Sequence, residues 1–473
     1  MFLLQIQHEV RQFIRSPLAL LLFVFLAGCM AFGVWNGARD LAQKRGAAEA
    51  MLQKQTEKFA RLQAQADSIN RNLKAEKRWW LDPTSALVIG EFDRGGWAVV
   101  LEPASLSILA TGLSDLQAEA EVLKISGSAV RSSSDFENPV NLTFGTFDLA
   151  FVVTFLLPLF VIALTFNLVS GEREQGTLAL LLSQPIVARQ LFGLKMLARF
   201  SLLGGLVLAV MLSLLAAAGI SLAEPALWQA AGLVLLYTLF WFLLALAVNL
   251  RGQSSAFNAL ACVAGWLLLV IVVPALVNLA AEKARPIPSR AVFQNDLRTA
   301  DLEVARQKER ILTEYFQQNP QFVRKADEQK GDKDWWIEEF AVLDFDQSLK
   351  DSLADAFEAK AHQQADFAQS LLGLSPALAV HYQLVTLAGT GREATGGYQQ
   401  NIKKQQQEWS ASMRTKYLAD QKLTNTDYEA FAALPTRVRA EADMGNAASG
   451  GWWLLMQCFL VGGLVWLVSR RPW

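Results

Sequence analysis

Six separate runs of apolar residues constrain this chain more than any other feature. They span 18–36, 147–169, 197–223, 226–249, 255–281 and 451–469, and each is long enough to cross the ~30 Å hydrocarbon core of a bilayer. Hydrophobic residues make up 52% of the chain and charged ones 18%, more apolar and less charged than an ordinary soluble protein. In lipid every backbone N–H and C=O must be satisfied within the segment, so the six runs read as helices. Pro158 lies inside the second run and Pro274 near the outer end of the fifth. A proline there is tolerated where neighbours satisfy the freed carbonyl, and the fifth span is expected to break at it. The expected fold class is mainly α: a six-helix transmembrane domain, an amphipathic N-terminal helix, and two mostly helical extracytoplasmic insertions.

The insertions are the polar segments 37–146 and 282–449. From Ala38 to Leu73 a heptad can be counted, with Leu52, Phe59, Ala66 and Leu73 at one seam position and Leu41, Ala48, Leu62 and Ile69 at the other. Arg45 and Gln55 interrupt it, which suits a long amphipathic helix packed on its own domain. After Trp79-Trp80 and Pro83 the pattern changes. Val88 to Val100 around Gly95-Gly96, and the Ser/Gly-rich stretch from Ser126 to Ser134, read as a small irregular or β-containing part. The second insertion reads helical, with Leu297, Val304 and Ile311 on one face, then Leu349, Leu353 and Phe357, then Ile402, Trp409, Met413 and Tyr417. Trp79-Trp80 and Trp335-Trp336 read as packing residues, and Trp452-Trp453 as an interfacial anchor.

Residues 1–17 place Ile6, Val10, Phe13 and Ile14 on one apolar face, with Arg11 and Arg15 toward the headgroups. Leu26-Ala27-Gly28-Cys29 mimics a lipoprotein cleavage box, but apolar residues continue through Met30, Phe32, Val34 and Trp35. An uncleaved anchor is therefore expected rather than a lipidated terminus. In a six-span topology Arg11, Arg15, Arg173, Arg189, Lys195, Arg199, Arg251, Arg470 and Arg471 all fall on one side. The opposite short turn at Glu224 carries no cation. The positive-inside rule puts both termini and the 170–196 loop in the cytoplasm and both insertions outside.

Several function classes fall away. The net charge of −1 gives no field for nucleic acid. The three cysteines (Cys29, Cys262, Cys458) lie inside apolar runs, so no disulfide framework is expected in the polar parts. No two of the three histidines stand at a metal-ligand spacing. No ionisable side chain lies deep in a span, which argues against proton-coupled transport. Gly171 and Gly176 have the spacing of a phosphate loop, but Thr177 and Leu178 stand where the Lys and Ser/Thr pair is required. The chain is not expected to be an enzyme or to hold a cofactor of its own.

The stretch from Gly171 to Pro185 joins the second and third spans. Glu172, Arg173 and Glu174 lead through Gly176 and Thr177 into a leucine-rich turn or two (Leu178, Leu181, Leu182), and Ser183 and Pro185 follow. The carboxylates near a helix start favour an exposed, charge-complementary contact with a soluble partner; the leucines would also suit an interfacial helix lying among headgroups.

This stretch, with Arg189 and Lys195 after it, resembles the first inner loop of type-2 ABC exporter permeases. Gly145-Thr146-Phe147-Asp148 entering a span with Leu157-Pro158-Leu159 is similar to the bacterial subgroup with large periplasmic insertions. The resemblance implies a multi-pass subunit of the bacterial inner membrane that dimerises with a second copy or a sister permease. It implies two cytoplasmic ABC ATPases, which bind ATP and Mg and engage the 171–185 helix and the N-terminal one. The function expected is coupling of ATPase motion to export, or to work on a periplasmic protein. The alternative is a non-transport membrane scaffold or sensor whose helical ectodomains bind a periplasmic partner.

Overall fold

The computed structural model describes residues 7, 11, 14–71, 78–92, 95–116, 120–131, 146–177, 188–324, 331–439 and 444–469. The apolar face expected over 1–17, through Ile6, Val10 and Phe13, therefore lies outside the described residues. So do Leu73, the stretch 132–145, and Arg470 and Arg471.

Helix α1 (Pro17–Asn70) opens at a cap: Ser16 accepts the Ala19 N–H through its hydroxyl, and Pro17 takes the first helical position. The helix does not stop where the apolar run ends. It continues unbroken for 54 residues, at ~1.5 Å per residue about 80 Å, so the first apolar run and the heptad segment are one rod. Its seam is buried at Leu41, Ala48, Phe59, Leu62 and Ala66. Gln55, which breaks the heptad, is buried too. Its amide donates to the Ala98 carbonyl and accepts the Ala98 N–H, taking the place of a neighbouring strand.

That strand belongs to the β-containing part expected in the first insertion. After α2 (Ala86–Glu91) come β1 (Trp97–Glu102), β2 (Ala120–Lys124) and β3 (Gly127–Arg131), consecutive and antiparallel. Alternation along β1 sends Trp97, Val99 and Leu101 into the larger core of the polar domain, while Val100 packs with Ala48 and Ala120.

The remaining apolar helices follow. Helix α3 (Leu149–Glu174) has a π turn at Val152–Leu156, and α4 (Ala188–Ala217) and α5 (Pro225–Asn249) are the next two apolar helices. Helix α6 (Ser255–Ala284) has a second π turn at Leu267–Val272. The break expected at Pro274 is absent: α6 runs on, with a π turn absorbing the missing N–H of the proline. The second insertion then builds α7 (Arg290–Gln318), α8 (Asp332–Ser370), α9 (Pro376–Leu387), α10 (Arg392–Leu418), α11 (Asn425–Ala432) and β4 (Arg437–Arg439). Helix α12 (Met444–Val468) closes the bundle.

The two insertions form one domain. Strand β4 pairs parallel with β1, Val100 opposite Arg437, giving the sheet order β3-β2-β1-β4. Helix α10 covers the sheet with Ile402, Trp409 and Met413, and Trp409 stacks on Trp97. The two tryptophan pairs meet through Phe92, which sits edge-on to both Trp79 and Trp336. Trp79, Trp80 and Trp335 remain about half exposed there.

Six helices are long and apolar enough to cross a membrane among the described residues. Leu21, Val24 and Phe25 on α1, Leu260, Leu268 and Leu276 on α6, and Phe459, Leu460 and Leu467 on α12 are all exposed. Water would not tolerate such continuous apolar faces on a folded protein; lipid does. Trp452 is largely exposed, as an interfacial anchor should be, whereas Trp453 packs against Gly373.

Candidate functional site

The end of the bundle opposite the polar domain is tied together by polar groups drawn from four helices. Helix α3 loosens into a turn after Thr165 and re-forms at Ser170–Glu174, and every charged residue of that last turn points back to a neighbouring helix. The Glu172 carboxylate accepts from the Lys195 ammonium of α4 and from the Thr177 hydroxyl. Lys195 is buried, so this charge-assisted bond is the reason a cation is tolerated there. The Arg173 guanidinium donates to the Gly252 carbonyl in the turn between α5 and α6. Glu174 accepts the Ser255 N–H at 2.7 Å and the Ser255 hydroxyl at 2.9 Å, capping α6. The Ser170 and Ser255 hydroxyls are 2.8 Å apart.

One layer deeper, Asn249 at the end of α5 is fully buried and uses its whole amide. It donates to Thr165 O at 3.1 Å and Ala245 O at 2.9 Å, and accepts from the Val169 N–H and from Asn258 Nδ2, both at 3.3 Å. Arg199 donates to Leu164 O at 3.0 Å. The chain leaves this knot at Gly176, whose φ of +73° is a conformation that glycine adopts without strain.

The structure thus brings Glu172, Arg173, Glu174, Gly176 and Thr177 together against α4 and α6. The two carboxylates anticipated as outward-facing are spent on Lys195 and Ser255. Leu178, Leu181, Leu182, Ser183 and Pro185 lie outside the described residues, as does the side chain of Arg189. Sequence reading missed Ser170, Gly252 and Ser255. Gly252 and Ser255 stand in a short polar turn, and a serine at a helix start is the signal that could have marked the second as a capping partner. Asn249 reads as inter-helix glue from sequence and is that here; Asn167 is exposed.

A bundle of membrane-length helices, a joint polar domain inserted after the first and fifth of them, and a short loop fastened to three helices define an integral membrane protein of the transporter-subunit class. The chain belongs to the ABC-2 family: the model of the family described as ABC-2 family transporter protein matches residues 5–405. It is accordingly a membrane permease subunit of the kind that partners an ABC ATPase. Comparison with curated proteins gives no match.

Proposed function

We propose that this permease is the membrane half of an ATP-driven type-2 exporter in a bacterial inner membrane. Both termini and the 170–196 loop lie in the cytoplasm, and the joint polar domain stands in the periplasm. Two ABC ATPases bind ATP and Mg and perform the hydrolysis; a second copy or a sister permease completes the membrane dimer. The observation that carries this reading is the fastening of the loop. Through Glu172–Lys195, Arg173–Gly252 and Glu174–Ser255, any displacement of the 171–185 segment is delivered at once to α3, α4 and α6.

The use of that motion follows from α1. A single helix that crosses the bundle and continues into the polar domain favours mechanical work on a periplasmic partner alongside export. The half-exposed tryptophans 79, 80 and 335 are the surface on which such a partner would rest. The reading is tested by co-purifying the permease with its ABC ATPase. Replacing Leu178 and Leu181 by Asp is expected to abolish association while membrane insertion survives. Unchanged association removes the loop from the ATPase contact.

A further inference from the structure

Pro158 and Pro274 each lack the N–H that a helix sends four residues back in α geometry and five back in π geometry. In both spans the residue before the proline makes the π-type bond, Leu157 N–H to Val152 O and Val273 N–H to Leu268 O. In α6 the next π acceptor, Leu269 O, would need the absent Pro274 N–H, and the Ser375 hydroxyl supplies that bond. In α3 the acceptor that Pro158 would serve in α geometry, Thr154 O, takes the Tyr237 hydroxyl at 2.8 Å. The Phe155 carbonyl takes Trp266 Nε1 at 3.2 Å. Trp266 directly precedes the π turn of α6, so the two turns are joined to each other.

Helix α9, from the second insertion, packs against both turns. Its leading end is held by Ser375 and by Gln457 of α12, which donates to Gly373 O at 2.7 Å. Its trailing end is held by Thr390, whose hydroxyl donates to Ala110 O at 2.9 Å in the first insertion. Between these anchors Gln383 is fully buried, and neither atom of its amide has a partner. The Thr154 hydroxyl, on the π turn that α9 contacts, is buried and unpaired as well. A buried carboxamide with no bond is costly, and natural cores rarely keep one. A π turn, unlike an α turn, holds one surplus residue, and relaxing it rotates and shifts the helix beyond.

We propose that α9 is a two-position latch on these paired π turns, with Gln383 as the positioning residue that distinguishes the positions. Its amide is unbonded in the arrangement described here and bonds the Thr154 side chain in the other. The two positions belong to this chain alone, whatever drives it between them.

The test uses the full permease in lipid nanodiscs without any ATPase, read by hydrogen exchange of peptides covering 267–276 and 376–387 and by the midpoint of thermal unfolding. Gln383→Leu fills the same space without a polar group. It is expected to slow exchange in both peptides at least tenfold and to raise the midpoint, because it removes the cost of the first position and the gain of the second. Ser375→Ala is expected to speed exchange over 267–276. Thr154→Val, which removes the second-position partner together with a hydroxyl unpaired in the first, is expected to slow exchange in α9 as Gln383→Leu does. A lower midpoint or unaltered exchange in folded Gln383→Leu overturns the latch. Should that variant not fold, unaltered exchange in Thr154→Val overturns it equally, since a Gln383 that merely packs would not register the loss of a hydroxyl on another helix.

Discussion

Replacing Asn249 by Leu isolates the knot at the loop end of the bundle. The side chain is fully buried and makes four hydrogen bonds, to Thr165, Ala245, Val169 and Asn258. Leucine is close in volume, so the cost is not that of a cavity. Bonds between helices of membrane proteins average ~0.6 kcal/mol, which puts the loss of four at no less than about 2 kcal/mol. The variant also leaves the Val169 N–H and the Asn258 amide buried without that acceptor, at ~1–3 kcal/mol for each orphaned group. Both of these bonds are long, at 3.3 Å, so the low end of that range applies and the total comes to about 4 kcal/mol. Reversible unfolding in mixed micelles, titrated with a denaturing detergent, measures it. Asn249→Asp keeps an acceptor but sets a second carboxylate oxygen against the Thr165 and Ala245 carbonyls and buries a charge without a cation, so it should cost at least as much. A change below ~0.5 kcal/mol for Asn249→Leu would show that the amide network merely accompanies helix packing, and the claim that this end moves as a unit would go with it.

Three further expectations concern other parts of the chain. Lys195→Met strands the Glu172 carboxylate, and Glu172→Gln removes the charge that Lys195 needs. A double-mutant cycle on unfolding should show coupling of about 1–2 kcal/mol, reduced from the ~3–5 of a fully buried pair because Glu172 is partly exposed. Gly37→Ala would put a methyl group 2.4 Å from the Ile108 carbonyl. Backbone cannot yield as a side-chain tip can, so a loss of at least ~1–3 kcal/mol is expected, read as a lower unfolding midpoint. Burial alone would raise the Asp427 carboxyl, but the Lys416 ammonium and the Thr424 N–H and hydroxyl outweigh it and hold the group below its ordinary 3.8. A lowered folded-state value stabilises above the unfolded value and is lost as pH falls through the folded one. Tryptophan fluorescence should therefore show acid weakening of the polar domain below ~pH 4, and Asp427→Asn should flatten that limb.

The six apolar helices of membrane length were legible because lipid leaves a chain so few choices: a long enough apolar run must satisfy its own backbone, and a helix does so. The seam through Leu41, Ala48 and Phe59 was legible for a similar reason, since burial follows the 3.6-residue period. What periodicity cannot carry is a partner distant in sequence. Gln55 looks like a fault in the heptad until Ala98 is set beside it. Pro274 looks like a break until Ser375 reaches the Leu269 carbonyl from 106 residues away. The parallel pairing of Val100 with Arg437 joins the two insertions through a register that no local pattern encodes. At the loop, Glu172 and Glu174 carry the charge of an exposed contact, yet Lys195 and Ser255 had the prior claim, because a buried ammonium needs an anion nearby and the free N–H groups of a helix start favour one.

The rod and the knot together say how a small movement could be felt far away. In the proposed topology about 20 residues of α1 cross the bilayer, which leaves some 50 Å of its ~80 Å beyond the membrane. Near the top of the bundle Gly37 of α1 lies so close to the Ile108 carbonyl that a methyl group would stand 2.4 Å from it, and in the proposed mechanical role this close contact is the point about which α1 tilts. A tilt of roughly 5° about such a point moves the far end by about 4 Å over that length, more than enough to break or make hydrogen bonds. A hinge between span and insertion would have absorbed the same tilt. Continuity of the helix through Trp35 to Leu41, with no glycine pair or proline between them, therefore matters more to the proposed mechanical role than any single contact in the polar domain. Inserting Gly-Pro after Arg39 should leave the bundle folded while uncoupling the tip from it. Spin-label distances between the two ends, unchanged in mean but broadened several-fold, would be the signature; an unbroadened distribution would show that the sheet and α10, not the rod, hold the domain upright.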